Sequence, residues 1–491
     1  MRLSDEAWSV PASPVRYDSA LMTPNRIRTL IVLITLLTTM TGVYSAWAEP
    51  IAGRDFEDES WSEGLVDLRS IDLVRTRLVN HGFAGRGLEV RIPEGGFRGF
   101  GPFDRLPLPE PTEAWYRYHI RLLSWNSASS GKLPGLSGIY SHTAKGCLPS
   151  EPGSPGWSAR GLFGAAGTEG APAGHVPIGL YLYHLNLPGS CGEGYYWPGA
   201  YLEPGRWHCV EGHVSLNSPG INNGLVEGWF DGTKRFSLNN IAFRRSNEDA
   251  VGIREMWLNV YFGGRYPTPN DLSLIIDEVV VSTDGQVGCL DPFTDDNDSL
   301  HVRALTELHA VGVLYGCGYR TVCPERQVTR GEVAALFARV MGLPPATRDY
   351  FDDDSGSLFE AAINKLAEAG ITQGCAAGQF CADRYLTRAE FATMTVRALG
   401  LPASGSDAFT DDDGHWAESA INTFADARLT KGCGADRFCP NRALTREEAA
   451  SFLVRMLDRL QPKRLGLASV NDPLDWPPPG DPPPVPPEEQ E

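Results

Sequence analysis

Lysine is scarce in this 491-residue chain: among 43 basic residues only six are lysine, at positions 132, 145, 234, 365, 431 and 463. Positive charge as a whole is also short, 43 basic against 61 acidic residues, for a formal net charge of −18. That balance argues against a nucleic-acid binder, whose partner demands a basic face, and an acidic substrate would require a locally basic site. Long apolar runs are missing except for TLIVLITLLTTMTGVYSAWA behind Arg26 and Arg28. A basic flank, a short apolar core and an A-x-A end predict a signal peptide over residues 1–48, cleaved after Ala48. The run is short for a membrane anchor, the alternative reading. Metal-type C-x2-C spacing is absent among the ten cysteines. Six stand instead as C-x5-C pairs without accompanying histidines: Cys317/Cys323, Cys375/Cys381 and Cys433/Cys439. In an exported chain these predict structural disulfides rather than zinc. Cys147, Cys191, Cys209 and Cys289 allow three pairings that sequence does not rank. No metal and no cofactor is expected.

Residues 49–290 have almost no helical periodicity. Tyr116, Tyr118, Ile120 and Leu122 alternate with Arg117, His119 and Arg121, the period of a half-buried strand. IGLYLYHLN (178–186), LVEGWFDG (225–232), MWLNVYF (256–262) and LSLIIDEVVVS (272–282) behave similarly between Gly, Pro and Asn clusters. About 240 residues of this kind predict a two-sheet jelly roll. Lys132 stands out within GKLPGL, because an ammonium can lose its proton where a guanidinium cannot. The bland reading is a surface lysine in an arginine-biased chain. Ser158 and Arg160 are two apart and share a face if extended, as do Tyr181 and Tyr183. One face gathering an amine, a guanidinium, a hydroxyl and two phenols suits β-elimination on a uronate polymer. Arg160 would neutralise the carboxylate, Lys132 or a tyrosine would take the C5 proton, and a phenol would return one to the leaving oxygen. Arg117 and His119 are candidate substrate contacts on their strand's polar face, and Tyr195, Tyr196 and Trp197 are candidate stacking platforms for sugar rings.

The remainder is a gapless threefold repeat, in which Phe293, Phe351 and Phe409 stand 58 apart, as do the cysteine pairs. The units are 291–348, 349–406 and 407–460, followed by a Pro-rich tail at 461–491 that reads as disordered. Each opens on an acidic cluster (FTDDND, FDDDSG, FTDDDG), continues into a helix and a Gly-Cys loop, and ends in a second helix starting TRGE, TRAE or TREE. Thr with Glu three residues later is a capping box. The arginine between them, Arg330, Arg388 or Arg446, opposes the helix dipole, and its recurrence points to a bound anion. The structural alternative is an arginine folded onto the neighbouring copy. The acidic clusters lack the glycine and distal glutamate of a calcium loop and read as solvated helix caps.

The repeats resemble S-layer homology domains in the F-x-D opening, the GIT at 370–372 and the TRAE at 387–390. That resemblance implies binding to anionic secondary cell-wall polysaccharide through Arg330, Arg388 and Arg446. The family's His-Trp survives as His415-Trp416, with Leu300 and Leu358 in the other copies, and this makes Trp416 a further wall contact. Residues 49–290 resemble polysaccharide lyase family 14, the alginate and glucuronan lyases. The matching segments are GKLPGL (131–136), GWSAR (156–160), YLY (181–183), PGRWH (204–208), LNSPG (216–220), WFDG (229–232) and FGG (262–264). The resemblance implies a catalytic Lys132, with Ser158 and Arg160 on the carboxylate and Tyr181 and Tyr183 as proton-transfer phenols. The insert at 145–155 and the glycine-rich stretch 161–177 lengthen the family's spacing.

The expected architecture is multidomain, an all-β jelly-roll sandwich followed by a mainly α-helical triple repeat. The expected function is a secreted, wall-anchored lyase that cleaves an acidic polysaccharide without metal, with no nucleic-acid partner and no membrane association after signal cleavage. The alternatives are a non-catalytic carbohydrate-binding surface protein and a structural envelope protein.

Overall fold

The computed structural model describes residues 50–460, apart from 67, 69–70, 73, 126–127, 140–155, 188–190, 246–251 and 264–266. The signal peptide, the tail, Cys147 and the insert at 145–155 lie outside the described residues.

Two antiparallel sheets form a sandwich. The first runs β13 (Thr233–Ile241), β12 (Gly224–Phe230), β11 (Trp207–Ser215), β6 (Glu113–Ser124), β16 (Leu272–Ser282), β3 (Gly87–Ile92) and β2 (Thr76–Val79), with β1 (Pro50–Arg54) also on β16. The second runs β10 (Glu193–Leu202), β9 (Val176–Tyr183), β8 (Gly156–Phe163), β7 (Gly131–Ile139), β14 (Glu255–Trp257) and β5 (Phe103–Arg105); β15 (Val260–Phe262) pairs with β7 and with β4 (Arg98–Phe100). Alternate residues of facing strands fill the space between, as in any aligned sandwich. Tyr116, Tyr118, Ile120 and Leu122 of β6 meet Leu136, Trp157, Ala159, Ile178, Leu180 and Leu182 of the second sheet in one core.

The phase of β7 departs from strict alternation. Leu133 pairs with Gly161 but Gly135 with Arg160, so β7 spends two residues where β8 spends one. This bulge at Pro134 lets Lys132 and Leu136, four apart and nominally on one face, point to opposite sides. Leu136 is fully buried in the core, and Lys132 is half-buried on the outer face of the second sheet.

The helices are α1 (Val302–Ala310), α2 (Arg330–Met341), α3 (Glu360–Glu368), α4 (Arg388–Leu399), α5 (Glu418–Asp426) and α6 (Arg446–Leu460), two per repeat, around a second hydrophobic core. Capping boxes open α2 at Thr329/Glu332 and α4 at Thr387/Glu390. The copies close into a ring: Val328 N–H donates to Leu444 O, Leu444 to Leu386 O, and Leu386 to Val328 O. Cys317–Cys323, Cys375–Cys381 and Cys433–Cys439 are disulfides within the copies, and Cys209–Cys289 ties the linker to β11.

The three arginines of the helix starts are not available to an external anion. Arg330 Nε donates to Phe380 O at 2.8 Å and Nη1 to Glu390 at 2.9 Å, and Arg388 repeats this on Phe438 O and Glu448 at 2.8 and 3.1 Å. Arg446 closes the ring on Val322 O and Tyr315 O of the first copy. All three are buried. The free carbonyls of each Gly-Cys loop need a donor, and the preceding copy supplies it, which is the structural alternative raised above.

Arg117 and His119 are likewise no substrate contacts. Their strand face is covered by the loop around Phe83 and by the first repeat. The Phe83 ring stacks on His119 at 3.7 Å and meets His309 edge-on at 5.3 Å. Arg117 donates to Gly288 O at 3.1 Å and sits near Glu278, whose carboxylate accepts from Tyr319 at 3.1 Å. Burial holds His119 well below the ordinary histidine value, so it sits neutral in this contact. Period-two alternation marked this face as polar, and a distant part of the chain covers it.

If the ring depends on these arginines, Arg388→Ala should lower the unfolding free energy of the full chain by about 3 kcal/mol, since Glu448 and the Phe438 carbonyl lose a buried partner. Chemical denaturation followed by helical signal measures this, and an unchanged midpoint would contradict it.

Candidate functional site

The outer face of the second sheet is built in rows across strands. One row runs Glu255, Ser137, Ser158 and Tyr183, and the next runs Trp257, Gly135, Arg160 and Tyr181. A third begins with Tyr261 and Lys132. Thus three strands, β7, β8 and β9, bring Lys132, Ser158, Arg160, Tyr181 and Tyr183 to one face. The Lys132 Nζ lies 3.4 Å from the centre of the Tyr181 ring, a cation–π distance when the amine is charged. The Tyr181 and Tyr183 rings meet edge-on at 5.5 Å. Gly192 permits this packing: a Cβ there would stand 2.7 Å from Tyr181 and 2.8 Å from Tyr183.

Arg160 is held from three sides. Its guanidinium lies 4.5 Å from the Trp257 ring centre and about 6 Å from each tyrosine ring, and Nη1 donates to Asn259 Oδ1 at 3.3 Å. Its Nε is buried without a hydrogen-bond partner. It is a charged donor whose burial is not offset by a hydrogen bond within the protein. Ser158 is fully buried beneath this arrangement, and Ser137 beside it donates to Glu255 at 3.2 Å.

Burial governs the titration of the cluster. It pushes the Lys132 ammonium down to about 7, and the Arg160 charge adds to the shift. Burial also lifts Tyr181 to about 12, with Tyr183 contributing. Arg160 falls to about 10, again through burial, offset by Tyr183, Tyr181 and Tyr261, and so remains charged near neutrality. One amine poised to exchange a proton, one phenol that keeps its proton and one fixed cation therefore share a face.

Of the stacking candidates, only Tyr196 stands on this outer face. It is half-buried opposite Gly179, and a Cβ at Gly164 would touch its ring. Tyr195 turns to the core side against Phe236, with its hydroxyl on Glu193, and Trp197 is buried in the core over Gly228. Consecutive residues of a strand face opposite ways, so three adjacent aromatics cannot all be platforms. Trp257, Asn259 and Tyr261 are the residues sequence reasoning missed. MWLNVYF reads in sequence as one strand, but it is divided into β14 and β15, both paired with β7.

In the helical ring, Trp416 is exposed beside His415, as a surface contact requires. The buried arginines have exposed counterparts with the same 58-residue spacing. Arg326, Arg384 and Arg442, with side chains 40%, 45% and 42% exposed, pair with Glu332, Glu390 and Glu448. Arg326 and Arg442 line one groove between copies together with Leu300, His301 and Arg437, and Arg384 lines another with Leu358 and Phe359. This second triplet was visible in the sequence, but it lacks the helix-start context that drew attention to the first.

A family model for polysaccharide lyase 14 matches residues 190–277, and the S-layer homology domain model matches 350–392 and 408–450. The chain is 33% identical over 148 residues to the cellulosome-anchoring protein of Acetivibrio thermocellus, covering 28% of this chain and 33% of that protein. It is 39% identical over 105 residues to the surface-layer 125 kDa protein of Lysinibacillus sphaericus, covering 21% of this chain and 9% of that one. The chain thus spans a third or less of these relatives' length. Among solved structures, the alginate lyase of Aplysia kurodai is 18% identical with a TM-score of 0.39, covering 48% of this chain and 99% of that one. The endo-β-1,4-glucuronan lyase of Trichoderma reesei is 16% identical with a TM-score of 0.33, covering 48% and 96%. The chain accordingly carries a region that matches polysaccharide lyase 14 and, after it, S-layer homology repeats.

The depressed Lys132 value can be read without any substrate. Amine acylation followed by peptide mass spectrometry should show Lys132 modified half-maximally near pH 7, because the reactive free base exists only above its pKa. A midpoint near the ordinary lysine value would contradict the burial argument.

Proposed function

We propose that the chain is a polysaccharide lyase that cleaves a uronate polymer by β-elimination while its repeats hold it to an anionic cell-wall polysaccharide. The observation that carries this reading is the single outer sheet face shared by Lys132, Arg160, Tyr181 and Tyr183, and the lyase family model matches the residues that follow them, 190–277. Arg160, the fixed cation of this face, pairs with the uronate carboxylate and so acidifies the adjoining C5–H. Neutral Lys132 takes that proton and becomes an ammonium. The C5–H electron pair forms the C4–C5 double bond as the C4–O bond breaks, and a tyrosine phenol gives a proton to the departing oxygen. Tyr181, lifted to about 12, is protonated at neutral pH and fits the donor role. Ser158 supports the floor beside Arg160, and Tyr196 offers a ring face to a neighbouring sugar.

For the repeats, the exposed triplet Arg326, Arg384 and Arg442, together with Trp416, replaces the buried arginines as the contact with the wall polymer. The exported, wall-bound location follows from this reading.

Ultraviolet absorbance of the new double bond, with alginate, glucuronan and related polymers, tests the lyase activity. Below pH 7 the rate should rise about tenfold per pH unit as Lys132 loses its proton and should level off above it. Lys132→Arg should abolish elimination while leaving polymer binding within about twofold, because it keeps charge and removes the exchangeable proton. Binding without turnover on every polymer would favour a sugar-binding surface protein instead. Joint replacement of Arg326, Arg384 and Arg442 by Ala should release the protein from cell-wall sacculi at an unchanged rate on soluble polymer. Full retention would place the wall contact elsewhere.

A further inference from the structure

The acidic cluster opening each repeat divides into two kinds of aspartate. The residue two after the phenylalanine, Asp295, Asp353 or Asp411, accepts two backbone N–H groups of the Gly-Cys loop at 2.6–2.8 Å. The next residue, Asp296, Asp354 or Asp412, is fully buried, and neither carboxylate oxygen has a hydrogen-bond partner in any copy. These are not the solvated caps that the sequence pattern indicated. A buried ionised carboxylate without partners is costly, and three at equivalent positions of a threefold ring are no accident of one side chain. Either a proton or a cation must compensate the charge.

The surroundings favour the cation. In the third copy, oxygens of Asp407, Asp412 and Asp413 lie within 4.8 Å of one another. One ion with oxygen ligands at about 2.3–2.6 Å spans separations of up to about 5 Å. A single proton would neutralise Asp412 and leave two carboxylates crowded against it. We infer that Asp407, Asp412 and Asp413 form a binding site for a calcium-type divalent cation, with Asp412 as the buried ligand and the exposed Asp407 and Asp413 closing it from solvent. An all-carboxylate donor set suits a hard ion and disfavours zinc or copper. The site would staple the segment before α5 that carries His415 and Trp416. The first and second copies keep the buried aspartate, with Asp291 or Asp349 nearby, but have Asn297 and Ser355 where the third has Asp413. They are therefore weaker versions of the same site.

The test is calorimetric titration of the chelator-stripped full chain with calcium chloride at pH 7, with thermal melting alongside. Saturable binding and a rise in melting temperature of several degrees are expected. Asp412→Asn should remove the tightest binding event. Should that variant not fold, Asp413→Asn changes only an exposed residue and should weaken the event about tenfold through loss of one charged ligand. Asp284→Asn, exposed and in the sandwich, removes the same charge elsewhere and should bind as the parent does. No saturable binding, or Asp412 and Asp413 variants indistinguishable from Asp284→Asn, would overturn the inference and identify the buried aspartates as protonated.

Discussion

A strand can aim only every second side chain at one face, and everything this protein does on its sandwich depends on how that restriction is met. Lys132 must stand outside while Leu133 and Leu136 fill the core, which a regular strand cannot arrange. One extra residue at Pro134 changes the phase. Without it, either the amine would be buried among Tyr118, Leu180 and their neighbours or Leu136 would face outward with it. The neighbouring strands then need no irregularity. GWSAR and YLY alternate regularly and deliver Ser158, Arg160, Tyr181 and Tyr183 to the same side.

Once those groups share a face, their chemistry follows from crowding and dehydration. An ammonium and a guanidinium placed close together, both largely removed from water, cannot both hold their protons as they would in solution, and the amine is the one able to give way. The Tyr181 phenol responds in the opposite sense and keeps its proton. Trp257 and Asn259 hold the Arg160 guanidinium in place, a fixed positive charge beside the amine and the phenols.

In the helical ring a different restriction operates. Each Gly-Cys loop turns backbone carbonyls inward, and the helix start of the preceding copy is the nearest source of donors. Arginine suits that position because one side chain serves a carbonyl and a glutamate together. The third copy serves the first, so no end is left unsatisfied, unlike an open stack of repeats, which needs capping units.

Much of this was legible from the residues in order. The 58-residue period, the capping boxes, the C-x5-C disulfides, the strand character of 49–290 and the parity that groups Ser158 with Arg160 and Tyr181 with Tyr183 are all properties of neighbours along the chain, where spacing alone sets geometry. What only the tertiary structure decided is which of two faces is covered, and by what. Arg117 and His119 look as exposed in sequence as Arg160 does, until Phe83 and the first repeat close over them. Arg330 and Arg326 share one period, yet the first is enclosed by the next copy and the second lies open. Period and parity are written locally. Burial depends on segments tens to hundreds of residues away, and no local pattern records where those segments come to rest.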